Sequence, residues 1–79
     1  MIVITIEEWA TMPGRLSISI LDKKTIRVIK ERGNIPGSYD YAGAAAAAIG
    51  AAMRLGKHGY CIFAPQKVLE HIPENLRAG

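Results

Sequence analysis

The chain has 79 residues, 49% of them hydrophobic, and a formal net charge of +3. That length predicts one small domain, residues 1–79, with a single compact core. The one cysteine, Cys61, excludes an intramolecular disulfide framework and favours a reducing compartment such as the cytoplasm. No apolar run approaches the roughly 20 residues of a membrane-spanning helix, so we expect no membrane contact.

Alternating apolar residues predict two strands in the first part of the chain. One covers residues 2–8 and the second begins at Leu16, because every other residue in each segment is apolar. Pro13 and Gly14 predict a turn between them. The inward-facing residues of the two strands are Ile2, Ile4, Ile6, Leu16, Ile18 and Ile20.

A third strand is predicted over residues 25–31, after a tight hairpin with Asp22 and Lys23 at its tip. Residues 33–37 contain two glycines and a proline and predict a loop. Three consecutive strands with short connections favour an antiparallel meander.

The next segment, residues 42–53, is an alanine-rich run that predicts a helix over residues 41–55, since alanine is the strongest helix former. Ser38 or Asp40 is the expected N-cap, and Gly56 is expected in the left-handed position after the last turn. Ile49 and Met53 are expected to face the sheet. The opposite side is also apolar as far as Arg54, which indicates either a covering partner or a bare alanine surface.

The remaining chain predicts a fourth strand over residues 60–64 and a short helix over residues 67–71, followed by a turn that begins at Pro73. The predicted order is β-β-β-α-β-α. We therefore expect an α+β fold, with an antiparallel sheet and the alanine-rich helix packed on one of its faces.

No group of residues in the sequence predicts catalysis or metal binding. His58 and His71 are separated by a strand and lack a second cysteine that would complete a zinc site. Glu7 and Glu8 are adjacent in a strand and therefore point to opposite faces. We expect no enzyme activity, no catalytic residues, no metal and no cofactor.

Positive charge is concentrated in residues 15–34, which contain six lysines and arginines and two acidic residues. Such a stripe would meet nucleic-acid phosphates or an acidic protein surface. It would equally be a solvated sheet face whose lysines discourage edge-to-edge aggregation.

The last third of the chain carries a family resemblance. The matching residues are Ala52-Met53, Gly56, Tyr60, Ile62, Lys67-Val68-Leu69, Ile72-Pro73-Glu74 and Leu76-Arg77, with Pro13-Gly14 and Gly43 upstream. In these positions, and in its succession of elements, the chain resembles the small phage-encoded anti-CRISPR proteins, in particular inhibitors of the type I-F CRISPR-Cas surveillance complex. It departs from them in a longer loop at residues 34–41, a shorter alanine run without lysine, and Arg54-Leu55 in place of an acidic and aromatic pair.

The resemblance implies a non-enzymatic inhibitor in the cytoplasm of the bacterial host. It implies binding to a subunit of the CRISPR-Cas effector complex, with a block of either target DNA engagement or helicase-nuclease recruitment. Direct nucleic-acid binding is not expected. Because the departures fall around the alanine-rich helix, type I-C and type I-E remain alternative targets.

The candidate contact residues follow from residue type and expected exposure. Arginine and aromatic side chains are enriched among the residues that dominate binding energy, which favours Arg54 and Trp9. Trp9 has an alternative role as a lid over the core. The remaining candidates are Lys57 and His58 at the end of the helix and Lys23, Lys24 and Arg27 at the hairpin.

Two rival functions fit the same pattern. A basic three-stranded sheet backed by a helix would enter the DNA major groove, with Arg15, Lys23, Lys24 and Arg27 as contacts. Alternatively, the chain would be an antitoxin-like partner of a small ribonuclease. The bare helix surface and Cys61 each permit a homodimer without requiring one.

Overall fold

The computed structural model describes residues 1–23 and 29–77 of the chain. Four strands, two α-helices and one 3-10 helix occur in these residues. Their bounds are β1 Ile2–Trp9, β2 Met12–Lys23, β3 Ile29–Tyr39, α1 Tyr41–Leu55, β4 Tyr60–Phe63, α2 Gln66–Leu69 and the 3-10 helix Glu74–Leu76. No helix in the described part of the chain is both long enough and apolar enough to cross a membrane.

The strands form one mixed sheet in the order β3-β2-β1-β4. β2 pairs antiparallel with both β1 and β3, as the predicted meander requires. β4 instead pairs parallel with β1, because α1 carries the chain back to the end of the sheet where β1 begins. The α+β prediction is confirmed, and β4 is the exception in a mostly antiparallel sheet.

The core lies between α1 and one face of the sheet. The alternating isoleucines and leucine of β1 and β2 are at most 6% exposed, and Ile62, Val68 and Ile72 complete the core from the last third of the chain. α1 contributes only alanines to its fully buried face, so large side chains come from the strands and small ones from the helix. These buried alanines are Ala44, Ala45, Ala48, Ala51 and Ala52.

The prediction that Met53 faces the sheet is wrong, because its side chain is 79% exposed. Each residue turns an α-helix by about 100°, which carries Met53 away from the side that Ala48 and Ala51 bury. Ile49 lies at the border of that face and packs against the core while only partly buried. In a helix that is apolar all round, neither hydrophobicity nor residue size identifies the buried side, since Ala42 and Ala46 are exposed.

The predicted turn at Pro13 and Gly14 is also wrong. Trp9 pairs with Met12, so the turn lies at residues 10–11 and β2 already includes the Pro-Gly pair. Glu8 pairs with Leu16, which leaves three residues of β2 without partners on β1. This bulge accommodates Gly14 at φ +86° and a proline that lacks an N–H donor.

The loop predicted at residues 33–37 is part of β3. Ile35 pairs with Ile18 on the core side, and two register shifts interrupt the β2–β3 ladder. Gly33 and Gly37 have φ values of +109° and +102°, which irregular positions in a strand accept when the residue is glycine. Glycine and proline therefore mark bulges here rather than the end of the strand.

The hairpin tip predicted at Asp22 and Lys23 lies within β2, where these residues pair with Lys30 and Ile29. The predicted third strand at residues 25–31 overlaps β3 from Ile29 onward. Residues 24–28 lie outside the described residues.

The helix prediction is confirmed over Tyr41–Leu55, and Asp40 rather than Ser38 is the N-cap. Its Oδ1 atom accepts a hydrogen bond of 2.6 Å from the amide of Gly43. Gly56 has φ −88°, so the expected left-handed conformation is wrong. Glycine is needed for space instead, because a Cβ atom there would lie 2.5 Å from the carbonyl oxygen of Ala52.

Candidate partner-binding surface

Main-chain hydrogen bonds bring two of the predicted basic groups to the same end of the molecule. The amide of Ile2 donates to the carbonyl of Gly59 at 3.0 Å, which ties the start of β1 to the loop after α1. The amide of Lys23 donates to the carbonyl of Met1 at 2.8 Å, which ties the end of β2 to the same place. We call this region the basic end, and it comprises Met1, Lys23, Arg54, Lys57 and His58.

The side chains of the basic end are largely turned to solvent. Arg54, Lys57 and His58 are exposed and Lys23 is half-buried. The arginine Nε donates a long hydrogen bond of 3.4 Å to the carbonyl of Gly50. The C-terminus of α1 points its carbonyls toward this region, which favours cationic side chains there.

Met53 places an exposed apolar side chain next to the basic end in the sequence. It is the most exposed large hydrophobic residue in the described part of the chain, and Arg54 follows it directly. Methionine and arginine are both enriched at protein interfaces. Sequence reasoning missed Met53, because it placed this residue in the core.

The amine of Met1 lies at the basic end close to an acidic side chain. The Met1 amine donates to the carbonyl of Lys23 at 2.9 Å and lies 3.9 Å from a carboxylate oxygen of Asp22. Asp22 is 7% exposed, so this carboxylate offsets the amine from below the surface rather than adding a negative group to it. The exposed charge of the basic end therefore stays positive.

The predicted hairpin group is only partly described. Lys23 belongs to the basic end, whereas Lys24 and Arg27 lie outside the described residues. Their place in the surface stays a prediction.

Trp9 lies at the opposite end of β1. The strand has eight residues, so its two ends are about 25 Å apart and Trp9 does not join the basic end. Its side chain is 38% exposed and lies outside the core cluster, which argues against the lid interpretation. It pairs across the strands with Met12, 47% exposed, as a separate small apolar patch.

The end that contains Trp9 is braced by side chains that pack on one another. Glu8 accepts a 2.8 Å hydrogen bond from the Gly14 amide and a 3.1 Å hydrogen bond from the Tyr41 hydroxyl. The ammonium group of Lys67 lies 5.4 Å from the centre of the Tyr41 ring, within cation–π range. We call this region the braced end, defined by Glu8, Gly14, Asp40, Tyr41 and Lys67.

The hydrogen bonds of the braced end lower the pKa of Glu8. The amide of Gly14 is the largest cause, the hydroxyl of Tyr41 follows, and the charge of Lys67 adds a smaller effect, while burial acts in the opposite direction. Sequence reasoning missed this group, because Glu8 and Tyr41 are 33 residues apart and only the fold brings them together.

The sheet face opposite α1 is polar in part and not fully covered. Thr5, Ser17 and Ser19 project from its two central strands and are half-buried, and Arg15 is exposed at its border. This is the face that the rival DNA-binding hypothesis requires.

Within residues 1–23 and 29–77, no three histidine, cysteine or acidic side chains come close enough to hold a metal ion. His58 and His71 are both exposed, and Cys61 is half-buried. The arrangement at the basic end offers charge and apolar area, which suits binding to another macromolecule. No protein-family model matches the chain, and no curated protein matches it.

Proposed function

We propose that this protein is an anti-CRISPR inhibitor. It binds a type I CRISPR-Cas effector complex by protein–protein contact in the cytoplasm of the host bacterium. Type I-F is the favoured subtype. Binding blocks target DNA engagement or recruitment of the helicase-nuclease. The observation that carries the proposal is the exposure at the basic end, where Met53 is 79% exposed and Arg54, Lys57 and His58 are exposed as well.

The chemistry of the basic end supports a protein partner. A cationic rim around an apolar side chain complements an acidic surface that has an apolar centre, and such complementarity determines specificity and association rate. Burial of Met53 would contribute roughly 1.5–3 kcal/mol to binding. The rim charges would orient the encounter.

The family resemblance supports the same region. The residues that carry it include Met53 and Gly56, and they continue through β4 and α2. The departure at Arg54 changes the charge of this surface relative to the related inhibitors. The subtype of the target complex is therefore to be determined by measuring binding to each type I complex.

The DNA-binding rival is favoured by one observation, the open sheet face with Arg15 and Lys23 at its borders. Its two central strands present serine and threonine hydroxyls, which are suited to phosphate contacts. In this alternative, the basic end would add cations next to the sheet face.

A titration of the labelled protein against purified type I-F complex and, separately, against duplex DNA distinguishes the two functions. We expect saturable binding to the complex and none to the DNA between about 50 and 200 mM salt. Parallel titrations with type I-C and type I-E complexes identify the subtype. Binding to DNA with a steep salt dependence, and to none of the complexes, would establish the rival function.

A further inference from the structure

The outer edge of β4 has main-chain groups that β1 does not use. Ile2 donates to Gly59 and pairs with Tyr60, and Ile4 pairs with Ile62. In a parallel ladder with this register, β1 bonds the amide and carbonyl of Cys61, so those of Ile62 point away from the sheet. No other main-chain hydrogen bond to Ile62 occurs among the described residues. An unpaired edge of this kind is a template for another strand.

An apolar groove of about 460 Å³ lies along this edge. Cys61, Phe63, Ala64 and Leu69 line it, and Phe63 is 57% exposed. Its volume is in the range of roughly 300–1,000 Å³ that is usual for binding sites. Alternate side chains of an added strand would point into such a groove.

Arg77 is the one charged side chain among the described residues that line the groove. It is half-buried, and its Nε donates a 2.8 Å hydrogen bond to the carbonyl of Ile72, which fixes the plane of the guanidinium group. The terminal nitrogens of that group suit a carboxylate, which arginine binds through two parallel hydrogen bonds.

We propose that β4 and this groove bind an extended acidic segment of a partner protein. The segment adds a strand beside β4, places alternate apolar side chains against Phe63 and Leu69, and sets a carboxylate against Arg77. A second copy of this chain fits less well, because in a two-fold interface the described residues of its groove would offer Arg77 another arginine and no carboxylate. The proposal is independent of the CRISPR-Cas assignment.

Selection of random dodecapeptides displayed on phage, with the whole protein as bait, tests the proposal. We expect enriched peptides with alternating apolar residues and an aspartate or glutamate. Arg77→Gln should weaken their binding roughly tenfold or more, since a charge-assisted hydrogen bond is lost. Phe63→Ser should weaken it as well, and bound peptide should slow alkylation of Cys61 by iodoacetamide.

Matched variants elsewhere on the surface control for general effects. Arg15→Gln and Met12→Ser make the same kinds of change on exposed side chains away from the groove and should leave peptide affinity unchanged. Where Arg77→Gln fails to fold, Arg77→Lys takes its place, because it keeps the charge and loses the planar pair of donors.

The proposal is overturned by an absence of enriched peptides or by peptides that bind Arg77→Gln and Phe63→Ser as tightly as the unmodified protein. N-methylation of alternate peptide amides should abolish binding, and peptides that tolerate it would exclude strand addition. A dimer that Phe63→Ser dissociates would make the groove a contact between two copies of this chain and would also overturn it.

Discussion

The two ends of α1 are held in different ways. At the braced end, side chains supply the contacts: Asp40 caps the helix and Glu8 joins Gly14 to Tyr41. At the basic end, main-chain groups supply them, since the amide of Gly56 donates to Ala52 at 2.8 Å and the amide of Gly59 donates to Gly56 at 3.0 Å.

This difference has a functional meaning. Where main-chain hydrogen bonds hold the structure, side chains are available for another molecule. Arg54, Lys57 and His58 can therefore change with little effect on the fold, whereas Asp40 and Tyr41 cannot. A protein that acts by binding a partner requires a region such as the basic end, where main-chain hydrogen bonds maintain the fold and side chains are available for contact.

The largest expected effect on stability is at Gly56. Gly56→Ala would place a Cβ atom 2.5 Å from the Ala52 carbonyl oxygen and 3.0 Å from the Tyr60 ring, so the main chain must shift. We expect the free energy of unfolding to fall by about 1–3 kcal/mol, measured by urea denaturation.

Gly50→Ala is the matched control. Apart from the two chain neighbours and the adjacent main chain of the helix itself, no described atom lies within 4 Å of the added Cβ, and alanine is favoured over glycine inside a helix. We expect a gain of about 0.5–1 kcal/mol. Equal effects at the two glycines would contradict the main-chain account of the basic end.

The second effect is at the helix N-cap. Asp40→Ala removes the 2.6 Å hydrogen bond to the Gly43 amide and should lower the free energy of unfolding by about 0.5–2 kcal/mol. Ser38→Ala, which alters a hydroxyl two residues earlier, should change it by less than about 0.5 kcal/mol in the same denaturation experiment. A larger loss of stability for Ser38→Ala than for Asp40→Ala would show that Asp40 is not the N-cap.

The smallest effect is the pH dependence at Glu8. Its pKa is lowered in the folded protein, so the ionised carboxylate stabilises the fold above its ordinary pKa of 4.5. This stabilisation is lost as the pH falls from that value through the lowered pKa of the folded state. Thermal melts should therefore show the advantage of the unmodified protein over Glu8→Gln shrinking in this acidic window.

Glu7→Gln provides the comparison on the neighbouring residue, whose side chain projects from the other face of β1. This variant keeps both hydrogen bonds of Glu8, so the pH dependence that Glu8 produces should persist in it. If the difference in thermal stability between Glu8→Gln and the unmodified protein stays constant with pH, the ionised carboxylate of Glu8 does not stabilise the fold through these hydrogen bonds.

The elements were predictable where local signals agreed. Alanine propensity and the Asp40 cap both indicated α1, and strict alternation indicated β1. Gly14, Gly33 and Gly37 misled because a positive φ occurs in bulges as well as in turns. Glycine identity alone does not distinguish these cases.

For the basic end, the sequence predicted which residue types take part but not how they are arranged in space. Arg54 and Lys57 are near in sequence, but their proximity to Lys23 depends on how β1 joins β2 and the loop before β4. Met53 was misplaced because an alanine-rich helix is apolar on every side. The Glu8–Tyr41 contact is a product of the tertiary fold alone.

The most direct test of the central claim is phage plaquing on a host with an active type I-F system, with the protein expressed from a plasmid. We predict that the double variant Arg54→Glu/Lys57→Glu folds, as judged by a cooperative thermal melt, and loses most of its inhibition. The charge-preserving pair Arg54→Lys/Lys57→Arg and the distant reversal Arg15→Glu should retain inhibition. Full inhibition by the double reversal would contradict the assignment of partner binding to the basic end.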